Sequence, residues 1–370
     1  KFSILPRLAN IFDATVSKRV TVTRFIDYAP MVFQRIRASF GINSDDYLRS
    51  VGPEQLLGNM VLGNLSSLSE LSSEGKSGAF FYYTSDGKYM MKTVTHKEQM
   101  LLKKMLKKYY DHITQNQGTL LVRFLGLHCL SVRKDRKAGK GSAVQKVYFV
   151  VMGNMFNTPF EIHRRYDLKG SWIGRVTKIE EPIDPSVALK DVDFTNAGEC
   201  IRVGEERKAK LVAQIERDSA FLRDNNIIDY SLLLGIYELT SQGSDDKGAE
   251  AKASDSATAD ASGDHGGESC LGLRGAIAAT TTDITVKLSP TEEFSHGEVP
   301  IHQAHMGGML SSDQKVLYFL GIIDILTPYD GRKHLEHWFK AIRYDSRGVS
   351  CCPPGMYAER FSTFMRNAIA

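Results

Sequence analysis

The chain has 370 residues, 42% of them hydrophobic and 24% charged, enough for one bilobal domain or two smaller ones around a sizeable core. That balance excludes a wholly disordered chain, a collagen and a disulfide-stapled mini-protein. No run reaches the ~18 consecutive apolar residues of a transmembrane helix, and the first residues lack the order of a signal peptide.

The formal charge of +4 conceals a division. Residues 241–300 hold 11 acidic and 4 basic side chains, whereas the remainder holds 43 Lys and Arg against 32 Asp and Glu. A basic body implies an anionic partner, with nucleic acid, a membrane surface and a phosphorylated substrate all open at this point. Five cysteines without ligand spacing suggest a reducing, cytoplasmic compartment.

In chain order, Gly75, Ser77 and Gly78 lie in a glycine-rich turn, Glu74–Ala79, that leads into a strand. Such a turn brings backbone N–H groups close to phosphate oxygens. Ala79–Thr84 and Tyr89–Val94 read as two strands around an Asp86-Gly87 turn. From His96 to His112 the apolar residues Leu101, Leu102, Met105, Leu106 and Tyr109 recur at helical spacing, with four lysines opposite. A second strand pair follows at 122–132 and 146–152. Glu205–Arg223 reads as a charged helix, 228–237 and 316–325 as apolar strands, and 354–370 as a closing helix. Between the two apolar strands, residues from about 240 to 305 read as a disordered acidic insert, too poor in apolar side chains to offset its ordering entropy.

The order of glycine turn, strand, Lys92 in the next strand, then a helix carrying Glu98 is what kinase-like ATP sites require. There the lysine meets the α- and β-phosphates and the glutamate holds it. Asp229 opens one apolar strand and Asp324 stands between isoleucines in the other, poor places for a carboxylate without a cation to meet. Together they suggest a magnesium and phosphoryl-transfer site.

Three segments then carry a family resemblance. Asp167-Leu168-Lys169-Gly170-Ser171 is similar to the DLKGS motif of the phosphatidylinositol phosphate kinases. Ile228–Leu233 resembles their MDYSLL segment and Gly321–Leu326 their GIIDIL segment. The likeness runs from about Phe25 to Met365.

It implies an α+β, bilobal kinase-like fold: an N-terminal lobe (1–153) with an antiparallel sheet and a long helix, and a mixed α/β C-terminal lobe (154–370) broken by the insert. It also implies ATP and Mg²⁺, with Gly75, Ser77, Gly78, Lys92 and Glu98 at the nucleotide. Asp229 would be the catalytic-loop acid, Asp324 the metal ligand, Lys169 a contact to the transferring phosphate and Arg175 a contact to the substrate's phosphate. Two departures are visible. The glycine turn ends Ser77-Gly78-Ala79 where the family has a second serine, and Arg332-Lys333-His334 replaces a Lys-Lys pair.

In the segment after Asp324, Leu335, Trp338, Phe339 and Ile342 form an apolar stripe flanked by Arg332, Lys333, Lys340 and Arg343, a pattern that fits an interfacial membrane helix. By resemblance this is the substrate-recognising segment, with Lys333 and Glu336 at the lipid, and Glu336 is the type I residue. The implied reaction phosphorylates phosphatidylinositol 4-phosphate at its 5-hydroxyl, on the cytosolic face of the plasma membrane. The alternatives are a type II-like 5-phosphate 4-kinase and a weakly active lipid-binding scaffold. Family members commonly pair through the N-terminal half, so a homodimer is among the implied partners. Nucleic acid is not, because no recognised motif accompanies the basic charge. Cys351 and Cys352 read either as inert loop thiols or, beside a basic amphipathic segment, as acylation sites.

Overall fold

The computed structural model describes residues 20–52, 79, 81–134, 143–177, 184–239, 308–331 and 351–370. The glycine turn, the acidic insert and the segment bearing Lys333 and Glu336 therefore lie outside the described residues.

Two five-stranded sheets organise the α+β fold. The first takes β1 (Val20–Asp27), β2 (Phe81–Tyr83), β3 (Tyr89–Val94), β4 (Phe124–Lys134) and β5 (Ala143–Gly153) in the order β1-β4-β5-β3-β2, antiparallel throughout. The aromatic and β-branched strands at 81–94 pair with Phe81 opposite Lys92 and Tyr83 opposite Met90. Their five-residue connection, residues 84–88, is held by Asp86. Its carboxylate accepts from the Thr84 hydroxyl at 2.6 Å and the Lys88 N–H at 3.2 Å, while Gly87 takes φ +70°. That φ favours glycine.

Helices α1 (Pro30–Ser39), α2 (Ser44–Val51) and α3 (His96–Gln115) accompany this sheet. Of the stripe foreseen for α3, Leu102, Met105, Leu106 and Tyr109 are buried and Leu101 is half-buried; Ile113 extends the buried face, and lysines 103, 104, 107 and 108 face solvent. Tyr109 resolves its burial by donating to the Val122 carbonyl at 2.7 Å and accepting from the Phe124 N–H at 2.9 Å.

The second sheet takes β6 (Arg164–Leu168), β7 (Ala188–Lys190), β8 (Ser231–Glu238), β9 (Met309–Leu310) and β10 (Val316–Ile323) in the order β7-β6-β8-β10-β9. Only β6 and β7 run parallel. Helices α4 (Asp191–Asn196), α5 (Glu205–Asp224) and α6 (Pro354–Ala368) complete this half. The two apolar strands read from the sequence do pair: β8 and β10 are antiparallel neighbours, with Leu232 opposite Ile322 and Leu234 opposite Leu320, all four fully buried.

Both strands are shorter than expected, for one reason. Asn226 (φ +61°), Asp229 (+65°) and Asp324 (+61°) take left-handed backbone, so β8 begins only after Asp229 and β10 stops before Asp324.

The halves meet where residues 120–122 lie along β10. Ile322 N–H donates to the Leu120 carbonyl at 2.7 Å and Val122 N–H to the Ile322 carbonyl at 2.8 Å. Beside this crossing, buried Asp218 of α5 accepts from Thr119 Oγ (2.8 Å), the Leu120 N–H (2.8 Å) and Gln214 Nε2 (3.0 Å), and lies 2.7 Å from His112 Nε2 of α3.

Candidate active site

Lys92 follows from strand alternation. Tyr89 and Met91 of β3 are buried on one face, and alternation puts Lys92 on the other, only partly covered, ahead of the buried Val94. Its ammonium sits 5.2 Å from the Phe81 ring centroid and 2.5 Å from Asp324 Oδ1. Asp324 is presented by the end of β10. Ile322 and Ile325 around it are fully buried, and the left-handed turn at Asp324 lifts its carboxylate out, leaving that side chain 44% exposed. Backbone strain of this kind, of order 1–3 kcal/mol, collects at functional positions.

Asp229 is built in the same way. Ile228 and Tyr230 on either side are fully buried. The Ile228 N–H is held by the Thr327 carbonyl at 3.0 Å, and the Tyr230 ring packs edge-on against Tyr357 and Phe361 of α6. Tyr357 also donates its hydroxyl to the Tyr230 carbonyl. With both neighbours pinned, the carboxylate between them projects towards Lys169, whose ammonium donates to Asp229 Oδ1 at 2.8 Å and to its carbonyl at 3.0 Å.

The electrostatics favour a charged acid at Asp324. Burial pushes its carboxyl up, but the charge and hydrogen bond of Lys92, helped by Lys169, outweigh this and hold it below its usual value. Among the described residues, only Lys92 bonds this carboxylate, through Oδ1, so Oδ2 has no protein partner. No three His, Cys, Asp or Glu side chains cluster as a metal cage among the described residues. A hard cation held by one or two carboxylates plus phosphate oxygens needs no such cage, and Asp324 with its charged, half-exposed carboxylate fits that donor chemistry.

Two expected roles are not what the structure displays. Glu98, expected to hold Lys92, closes a capping box at the start of α3. Its carboxylate accepts from the Thr95 N–H at 2.6 Å, and Thr95 Oγ accepts from the Glu98 N–H at 3.3 Å, so the ion pair of Lys92 is with Asp324. Arg175, expected at the substrate's phosphate, is buried. Its Nε donates to Asp191 Oδ2 at 2.6 Å, and its Nη2 lies against the carbonyl and, at 3.4 Å, the carboxylate of Asp167.

Asp191 was missed by the sequence reading. It accepts the backbone N–H groups of both Lys169 and Gly170 at 2.7 Å. The only signal for it was an acid at the start of a short helix, which N-termini favour anyway.

A cavity of about 600 Å³ opens behind the Lys169 loop, between α4 and α6, with Gly170, Ser171, Asp191, Arg360 and Phe364 in its wall. None of Lys92, Asp229 and Asp324 lines it. Cys351 and Cys352, read as loop thiols or acylation sites, are both buried.

Lysine and acid facing each other from separate sheets, with a second lysine–acid pair beside β8, define a kinase-like bilobal protein. A family model described as phosphatidylinositol-4-phosphate 5-kinase matches residues 62–368, and the chain belongs to that family. A phosphatidylinositol 4-phosphate 5-kinase of Plasmodium falciparum is 41% identical over 349 residues, covering 93% of this chain and 18% of that protein. Phosphatidylinositol 4-phosphate 5-kinase 6 of Arabidopsis thaliana is 35% identical over 92% of this chain and 45% of its own length. A phosphatidylinositol 4-phosphate 5-kinase of Schizosaccharomyces pombe is 31% identical, covering 94% and 46%. The chain thus spans less than half the length of each of these relatives. Among the described residues no helix is long and apolar enough to cross a membrane.

Proposed function

We propose that this protein transfers the γ-phosphate of ATP to the 5-hydroxyl of phosphatidylinositol 4-phosphate. The observation that carries the reading is the convergence of Lys92 with Asp324 and of Lys169 with Asp229, supported by family membership and the shared name of the relatives. Phosphoryl transfer asks little covalent chemistry of a protein and much positioning and charge compensation. Lys92 would hold the α- and β-phosphates, exchanging Asp324 for them. Asp324 would then be released to hold Mg²⁺, which, when bound, neutralises charge on the phosphate oxygens. Asp229 would orient the inositol hydroxyl and take its proton as the new P–O bond forms and the bond to the ADP oxygen breaks. Lys169 would offset the negative charge gathered between these groups. Gly75, Ser77 and Gly78 at the nucleotide, and Lys333 and Glu336 at the lipid, complete the proposal from the family pattern.

The remaining parts of the reading are an N-terminal lobe ending at 153, a C-terminal lobe from 154, peripheral attachment to the anionic cytosolic face of the plasma membrane, and a homodimer. The basic balance outside residues 241–300 supports the membrane contact. Incubation of the protein with labelled ATP, Mg²⁺ and phosphatidylinositol 4-phosphate vesicles tests the proposal. Labelled bisphosphate, absent with Asp324→Asn, supports it; vesicle binding without turnover by the wild type would identify a scaffold instead.

A further inference from the structure

We propose that Asp191 is a positioning residue that sets the Lys169 ammonium against Asp229 through the backbone of the Lys169–Gly170 loop. The inference rests on the reading of Lys169 and Asp229 as groups of the transfer site.

Asp191 is 2% exposed and spends both carboxylate oxygens on this loop. Oδ1 accepts the N–H groups of Lys169 and Gly170, each at 2.7 Å, and Oδ2 accepts Arg175 Nε at 2.6 Å. Arg175 in turn is fastened to Asp167, the residue two before Lys169 and part of β6. The clamp therefore ties the strand end, the loop and the first residue of α4 together. The Arg175 carbonyl accepts the Val192 N–H at 3.2 Å as a further tie.

From the other side the loop is pressed on α6. Gly170 has φ +66°, and a Cβ there would stand 3.0 Å from Phe364 Cβ and 3.1 Å from the Arg360 carbonyl. The loop backbone is consequently fixed on two sides, and the one long side chain it projects to the site is Lys169, 13% exposed and bonded to Asp229. Charge-assisted bonds to a buried carboxylate are the strong kind. Asp191 bonds only the backbone of Lys169, not its ammonium, so it acts on the site indirectly.

Asparagine at 191 keeps the volume but has a single acceptor atom. It must present its NH₂ either to Arg175 Nε–H or to the two backbone N–H groups, and one side of the clamp opens. Reductive methylation of the native protein with formaldehyde and cyanoborohydride, read site by site by mass spectrometry, measures the outcome without catalysis. Losing a hydrogen bond to a charged group should raise the labelling rate of Lys169 in Asp191→Asn by roughly tenfold, while Lys92, the internal control, stays within about twofold. In turnover, kcat should fall about 100-fold with KM for ATP little changed, as expected for a group misplaced by an ångström. Arg175→Lys, a milder opening of the same clamp, should move Lys169 labelling in the same direction.

Lys169 labelling unchanged in both variants overturns the proposal. So does an equal rise at Lys92 and Lys169, which would mean general loosening. A wild type that phosphorylates no phosphoinositide would defeat the functional reading, while the labelling ratio still decides the role of Asp191.

Discussion

The Lys92 ammonium and the Asp324 carboxylate, 232 residues apart in sequence, meet at 2.5 Å across the two halves of the fold. The lysine and the acid thus neutralise each other. A polyphosphate with its cation would replace one contact with two. Lys92→Ala and Asp324→Asn are therefore expected to lower turnover at least ~100-fold each, since charge positioning supplies most of phosphoryl-transfer catalysis. Asparagine tolerates the left-handed backbone of Asp324, so circular dichroism of that variant should match the wild type while steady-state turnover collapses.

The same pair gives a pH signature. The Asp324 carboxyl is held below its usual 3.8, so the stability it contributes is complete above that value and lost as the pH falls through its lower, folded value. Between about pH 5 and 8 the difference in Tm between wild type and Asp324→Asn should be flat. Below about pH 4 the wild type should lose stability relative to the variant. Differential scanning calorimetry across the series checks this, and a difference that drifts steadily through neutrality would contradict it.

Asp218 is expected to matter for stability. Its carboxylate serves Thr119, Leu120 and Gln214, and His112 lies within hydrogen-bond distance. Asp218→Ala leaves several of these groups buried without a partner, at a cost of about 3 kcal/mol. Urea unfolding measures it. The exposed pair Lys107–Asp111 on α3 should cost less than about 0.5 kcal/mol when broken.

Glu336→Ala is expected to broaden substrate choice towards phosphatidylinositol 5-phosphate, because glutamate there follows the type I pattern and alanine the type II pattern. Relative kcat/KM for the two monophosphates decides, and unaltered selectivity would remove Glu336 as a determinant.

What the sequence disclosed followed from contrast. Lys92, Asp229 and Asp324 are charged residues set in apolar runs, and such positions show without coordinates. The α3 stripe was visible through its periodicity, and the β8 and β10 strands through their continuous apolar runs. The strand ends were not: Asn and Asp tolerate left-handed backbone, but which of them adopt it, here Asn226, Asp229 and Asp324, depends on the burial of the residues beside them. Glu98 carried two compatible signals, a helix partner for Lys92 and the last member of Thr95-His96-Lys97-Glu98; the local capping box is the one the structure realises. Helix α2 was not read from the sequence: its N-cap Asn43, which accepts the Asp45 N–H at 2.8 Å, is a single local signal, and eight residues offer little periodicity. Arg175 and Asp191 belong to one clamp, and nothing in their spacing revealed that each spends its charge on the other.

A lipid panel puts the proposed phosphoryl transfer to its most direct test. Phosphatidylinositol 3-, 4- and 5-phosphates are presented in vesicles with ATP and Mg²⁺ to the wild type and to Asp324→Asn, and the position of the new phosphate is read on the product. The 4-phosphate should be converted rapidly to the 4,5-bisphosphate, the other two isomers more slowly, and none of them by Asp324→Asn. Preferred phosphorylation of the 5-phosphate at its 4-hydroxyl, or turnover that survives Asp324→Asn, would contradict the proposed transfer.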